Sequence, residues 1–280
     1  MVSLEVYLGM DKRALDAAYN NSAAVKESAS IIAEWEKQGQ KIRSKANAYL
    51  DIVYGPLPRN KIDYFAAPKI NSPLFVFIHG GYWQRNRKET FSFVSECLVA
   101  NGINVAVVGY TLAPEASLTQ IVGEINAAID LLYARATGLG FDPTSIHVGG
   151  WSAGGHLAVL AAQHTHVTSV LSISGIFDLE PIEKTYINEK LQLSRNEIET
   201  LSPIRSLPSR KIPYLLFVGG NELCELRRQS EEFSARLSQV ELSAKLTIPE
   251  GHNHFTILEE IARPDGLLVS ELKKLILPKK

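Results

Sequence analysis

The run Ser145-Ile146-His147-Val148-Gly149-Gly150-Trp151-Ser152-Ala153-Gly154-Gly155-His156-Leu157-Ala158 constrains this chain more than any other stretch. A short apolar segment enters Gly-x-Ser-x-Gly, and an alanine-rich helical segment leaves it. A strand that reverses so sharply into a helix needs Gly150 and Gly154 to lack side chains. It holds Ser152 at the tip of the turn, with its hydroxyl exposed at the carboxyl end of a sheet. The helix that follows aims backbone N–H groups at the spot where an attacked carbonyl would gather negative charge. A five-residue pattern with two free positions also occurs in ordinary glycine-rich turns. The loops after the other strands therefore decide between a nucleophile and a chance serine.

Those strands follow from hydrophobic patterning. Residues 49–54 and 62–65 flank the turn Gly55-Pro56-Leu57-Pro58-Arg59-Asn60 and read as an antiparallel hairpin. Continuous apolar runs at 74–78 and 103–108 suit strands buried on both faces, and 146–148, 167–173, 214–218 and 244–248 read as further strands. Helices are expected between them at about 88–101, 117–136, after Ser152 and at 225–239, with a closing helix at about 266–277. Leu118, Ile121, Val122, Ile125, Ile129 and Leu132 make one stripe of the second. Strand–helix alternation predicts an α/β fold, with a mostly parallel sheet, helices on both faces and right-handed crossovers. Residues 1–47 read as a helical arm, with Ser22 as a helix cap, and as a candidate cap over the site. Burying Tyr19 and Trp35 requires that arm to pack on something. Residues 48–280 form the main domain. The stretch at about 180–208, broken by Pro181, Pro203 and Pro208, reads as a partly helical insertion.

Catalytic groups in such sheets sit just beyond the carboxyl ends of strands. After 74–78 comes His79-Gly80-Gly81-Tyr82-Trp83-Gln84, which resembles the HGG oxyanion loop of lipases and esterases. The N–H groups of Gly80 or Gly81, or both, would join that of Ala153 around an oxyanion. His79 reads as structural, tying the loop through its ring. Tyr82 and Trp83 are either core aromatics or a substrate wall. After 103–108, Tyr110-Thr111-Leu112-Ala113-Pro114-Glu115 looks like an architectural segment of hormone-sensitive-lipase-type esterases. A carboxylate that fixes a histidine tautomer and stabilises the imidazolium comes from Glu222, with Asp178 and Glu225 as alternatives. After 244–248, His254 is the expected base, followed by an aromatic and a helix, with His252 as fallback. Ser152, Glu222, His254 is the order serine, acid, histidine. His164-x-His166 and His252-x-His254 bring no further ligands at metal spacing, so no metal is expected.

With these residues in view, the chain resembles the kynurenine formamidase (arylformamidase) branch of the α/β-hydrolase superfamily. The carriers are His79-Gly80-Gly81-Tyr82-Trp83-Gln84, Ser174-Gly175-Ile176-Phe177-Asp178-Leu179-Glu180-Pro181, Arg228-Gln229-Ser230 and His254-Phe255. Tyr19-Asn20-Asn21 in the arm is also similar to bacterial members. The resemblance implies the α/β-hydrolase fold, Ser152, Glu222 and His254 as catalytic residues, and Gly80, Gly81 and Ala153 as the oxyanion hole. It implies hydrolysis of an aryl formamide such as N-formylkynurenine through an acyl-enzyme, without a cofactor. Tyr82, Trp83 and Trp151 would line the substrate site. The chain departs from the family at Trp151, where His is usual, and at Glu222, where Asp is usual. A carboxylesterase or another amidase with the same triad is the rival reading, and a non-catalytic binding member of the fold is a more distant one.

Composition removes other classes. With 29 basic and 30 acidic residues and a net charge of -1, the 280-residue chain has no general nucleic-acid surface. No basic run is longer than a pair such as the terminal Lys279-Lys280. Cys97 and Cys224 make no disulfide framework and suit reduced thiols in the cytoplasm. The start Met1-Val2-Ser3-Leu4-Glu5 lacks a secretory pattern, and no apolar run is long enough for a membrane span. The expected partner is a small molecule, and a homodimer is left open.

Overall fold

Side chains alternate across a strand, so an unbroken apolar run must be buried on both faces. The run Leu74–Ile78 divides in this way: Leu74, Val76 and Ile78 enter one hydrophobic cluster, and Phe75 and Phe77 enter the other. These two clusters lie on opposite faces of one eight-stranded sheet, ordered β1-β2-β4-β3-β5-β6-β7-β8. The strands are β1 (Ala48–Val53), β2 (Lys61–Phe65), β3 (Ser72–Ile78), β4 (Asn104–Val108), β5 (Phe141–Trp151), β6 (Val167–Ile173), β7 (Tyr214–Phe217) and β8 (Ala244–Thr247). The pairings β1–β2 and β2–β4 are antiparallel and the rest are parallel. The molecule, a computed structural model, is described for residues 5–45 and 47–277. The first four residues of the arm and the Lys279-Lys280 pair lie outside that range.

The helices in chain order are α1 (Lys12–Ala18), α2 (Asn21–Ala24), α3 (Ser28–Arg43), α4 (Ser95–Ala100), α5 (Leu118–Ala134), α6 (Ala136–Leu139), α7 (Ala153–Leu160), α8 (Glu180–Glu183), α9 (Asn188–Leu191), α10 (Arg195–Leu201), α11 (Cys224–Gln239), α12 (Thr256–Glu259) and α13 (Leu267–Ile276). Ser117 and Gln120 close a reciprocal capping box on α5, and its apolar stripe is buried except for the half-buried Val122. Two expectations change. The helix expected at about 88–101 begins as a 3-10 segment, Lys88–Val94, before α4. Ser22 is not the cap of α2: it lies inside that helix, and the side chain of Asn20 takes the cap bond from the Ala23 N–H. Asn20 wins because its carbonyl lies one position ahead of the helix, where the unpaired N–H groups point.

The arm is built into the molecule. Leu15 and Tyr19 enter one face's core, and Trp35 and Ile42 enter the other. The Trp35 indole touches the rings of Phe91, Phe93, Trp151 and Phe255. The arm thus reaches the end of β5 at Trp151 and the loop that carries Phe255.

Candidate active site

Backbone sterics build the elbow at Ser152. Its φ of 59° lies in the left-handed region, and its N–H bonds the Ile173 carbonyl. A Cβ on Gly154 would sit 2.0 Å from the Ile78 oxygen, and one on Gly150 would sit 2.2 Å from the Gly154 oxygen. Both glycines are therefore required by close backbone approach. Ser152 leaves β5 at the carboxyl edge of the sheet and feeds directly into α7.

The loop after β3 lies against this elbow. A Cβ on Gly80 would meet the Trp151 oxygen at 2.5 Å and Ser152 Cβ at 2.9 Å. The Gly80 carbonyl accepts hydrogen bonds from His79 Nδ1 and Asn86 Nδ2, at 2.9 and 3.0 Å. In a trans peptide the Gly81 N–H must then point the opposite way. Gly81, at φ 122°, lines the cleft with Ser152. His79 ties the loop as expected. Its ring stacks between Phe91 and Tyr110, and burial pushes the imidazole down to about 4, so it is neutral at pH 7.

Beyond β7 and β8, the carboxylate and imidazole meet. His254 Nδ1 donates to Glu222 Oε2 at 2.7 Å. Glu222 Oε1 accepts from the Gly219 N–H at 2.7 Å and from the Ser174 hydroxyl. This fully buried carboxylate therefore has its acceptors committed on both oxygens. The alternatives are engaged elsewhere. Asp178 bonds Tyr7 and Arg205, and Glu225 bonds Tyr19 and Arg228. His252 Nε2 lies 4.0 Å from Glu260 and does not contact Glu222.

Ser152 and His254 line one small cleft of about 60 Å³, together with Gly81, Tyr82, Trp151, Asn21 and others. Ser152 Oγ makes no hydrogen bond to the imidazole among the described residues. Such contacts are often long without substrate and tighten when it binds. Trp151 forms part of the wall. Its indole N–H donates to the His254 carbonyl at 2.7 Å, and its ring lies 4.8 Å from the imidazole. Tyr82 also lines the cleft, and its hydroxyl donates to the Tyr19 carbonyl at 2.6 Å.

Trp83 does not belong to that wall. It is fully buried, edge-on to His156 at 5.0 Å, and is absent from the cleft lining. Tyr82 and Trp83 both take left-handed backbone, at φ 52° and 57°, in a tight turn, and the Trp83 indole lies in the core, where the Ala113 N–H also bonds the Trp83 carbonyl. Two residues of the site escaped the sequence reading. Ser174 directly follows β6, but only Asp178 in that loop carried an obvious chemical signal. Asn21 lies in the arm, remote along the chain from every catalytic candidate.

Comparison with known proteins agrees with this architecture. The BD-FAE family model matches residues 62–237. The kynurenine formamidase of Danio rerio is 30% identical over 255 residues, covering 85% of this chain and 85% of that protein. The Salmo salar enzyme of the same name is 30% identical, with 86% of each chain covered. The chain belongs to the kynurenine formamidase-like branch of the α/β-hydrolases. By this kinship the chain is a hydrolase. Among solved structures, one from a Silicibacter species superposes with a TM-score of 0.83 at 27% identity, covering 94% of this chain and 99% of that one. A Pyrobaculum calidifontis esterase shares the fold at TM-score 0.70 and 20% identity, with 91% and 94% covered. No described helix is long and apolar enough to cross a membrane.

Proposed function

We propose that this protein is a cofactor-free serine hydrolase that cleaves aryl formamides such as N-formylkynurenine through a formyl-enzyme. The observation that carries this reading is the buried Glu222–His254 pair opening onto the cleft that Ser152 also lines. His254 Nε2 takes the Ser152 proton as Oγ attacks the formyl carbon, and Glu222 stabilises the imidazolium. The N–H groups of Gly81 and Ala153, with Gly80 placing the loop, receive the oxyanion; each donor is worth about 3 kcal/mol in the transition state. The C–N bond then breaks, and the imidazolium protonates the departing amine. Water activated by His254 releases formate.

The small cleft supports a formyl or similarly short acyl group. The larger cavity of about 380 Å³ beside it, bounded by Asn21, Lys26, Glu27, Asn221, Glu222 and His254, supports a bulky leaving group. Asn21 and Ser22 of the arm line the cleft, which supports the arm as its cap. Free Cys97 and Cys224 fit a cytoplasmic setting.

The test compares N-formylkynurenine with p-nitrophenyl acetate and butyrate. The proposal expects the formamide to be turned over with the highest kcat/KM. Turnover of the esters with none of the formamide would replace the formamidase by a carboxylesterase.

A further inference from the structure

We propose that Asn21 Oδ1 accepts a hydrogen bond from the leaving nitrogen, so that the site selects amides over the matching esters. This rests on the serine-hydrolase reading above and extends it to a residue outside the triad.

Asn21 is buried, at 4% exposure, and its amide orientation is fixed by its neighbours. Tyr82 spends its single hydroxyl proton on the Tyr19 carbonyl, so its oxygen can only accept from Asn21. Asn21 Nδ2 supplies that donor at 3.1 Å. The amide oxygen is therefore turned away from Tyr82, and Oδ1 is buried with no partner among the described residues. A buried acceptor left unpaired is costly, and native structures rarely carry one without a reason. Helix capping does not supply the reason, because Asn20 caps α2.

Position supplies it. Asn21 and His254 are the two residues common to the lining of the small Ser152 cleft and of the larger cavity beside it. With the acyl group on Ser152 and the leaving group in the larger cavity, the scissile bond lies at this junction. His254 must reach the leaving atom there to protonate it. An amide nitrogen still carries its own hydrogen at that point and needs an acceptor. An ester oxygen carries none and would set its lone pairs against Oδ1. Sites built to accept a substrate N–H discriminate strongly against analogues that lack it.

The experiment uses formanilide and phenyl formate, which differ only in N–H against O. It measures kcat and KM for the full-length wild type, Asn21→Leu and Asn21→Asp. Leu keeps the branched four-atom shape and removes the acceptor, whereas Asp keeps an oxygen there. The amide-to-ester ratio of kcat/KM should fall at least about tenfold in Asn21→Leu, mainly through kcat, and recover in Asn21→Asp. An unchanged ratio, or a parallel loss on both substrates, would overturn the proposal, the latter leaving Asn21 as a mere prop for Tyr82. Fluorophosphonate labelling of Ser152 in each variant shows whether the nucleophile is intact. Failure of the wild type to label would instead strike the serine reading itself.

Discussion

Replacing Glu222 with Gln tests the geometry at one atom. In the native site Oε1 receives two donors, the Gly219 N–H and the Ser174 hydroxyl, and Oε2 receives His254 Nδ1–H. A carboxamide has one oxygen. Setting it against the two donors places the NH2 group opposite His254 Nδ1. That nitrogen must then accept, which puts the ring proton on Nε2, the atom that in the proposed mechanism takes the Ser152 proton. The variant keeps its shape and its neighbours but holds the imidazole in the unusable tautomer and loses the charge that stabilises imidazolium. Together these are worth about 5 kcal/mol in the transition state, or ~10⁴-fold in kcat/KM. The assay is p-nitrophenyl acetate hydrolysis beside a thermal melt, which should shift by no more than a few degrees because no cavity is made. A loss below tenfold, or a larger loss from Asp178→Asn, would refute the reasoning.

Other outcomes follow from the same contacts. Gly154→Ala drives a methyl into the Ile78 carbonyl, 2.0 Å away, so soluble, cooperatively melting protein should not be recovered; normal melting would contradict the elbow packing. Burial lowers the imidazoles of His79, His147 and His156 to about 4, so the unfolded chain binds protons first as pH falls. Their contribution, up to about 3 kcal/mol each, is complete above pH ~6.5 and is lost towards pH 4. Urea denaturation at pH 7 and pH 5 should show the drop, and a flat profile would count against it. Lys88 bridges Asp63, Asp51 and Glu89 at 2.7, 2.8 and 2.9 Å, and Asp63 is fully buried. Lys88→Met should cost about 3–5 kcal/mol by urea titration, and a loss under 1 kcal/mol would show that Arg43 alone satisfies Asp63.

The layered fold was legible because its central parallel strands are apolar on both faces, as the run 74–78 within β3 shows, and the strand read at 167–173 matches β6 end to end. The pairing of carboxylate and imidazole was legible as sites after strands, since loops at the carboxyl edge converge whatever their separation in sequence. Trp83 was not, because an aromatic next to a glycine turn has the same composition whether it faces the cleft or the core. The start of β5 at Phe141 was hidden by Pro143 and by polar residues around an irregularity in the pairing with β3. Asn21 was hidden for a different reason: its significance is an unpaired oxygen, and pairing exists only in three dimensions.

The central claim is that Ser152 becomes covalently bonded during turnover. Its most direct measurement is the intact mass of the protein after fluorophosphonate treatment, with the modified peptide sequenced. A single adduct on Ser152, absent in Ser152→Ala and slowed in His254→Ala but little affected in His252→Ala, is the predicted result. An active enzyme that gains no adduct, or gains it on another residue, would contradict the account.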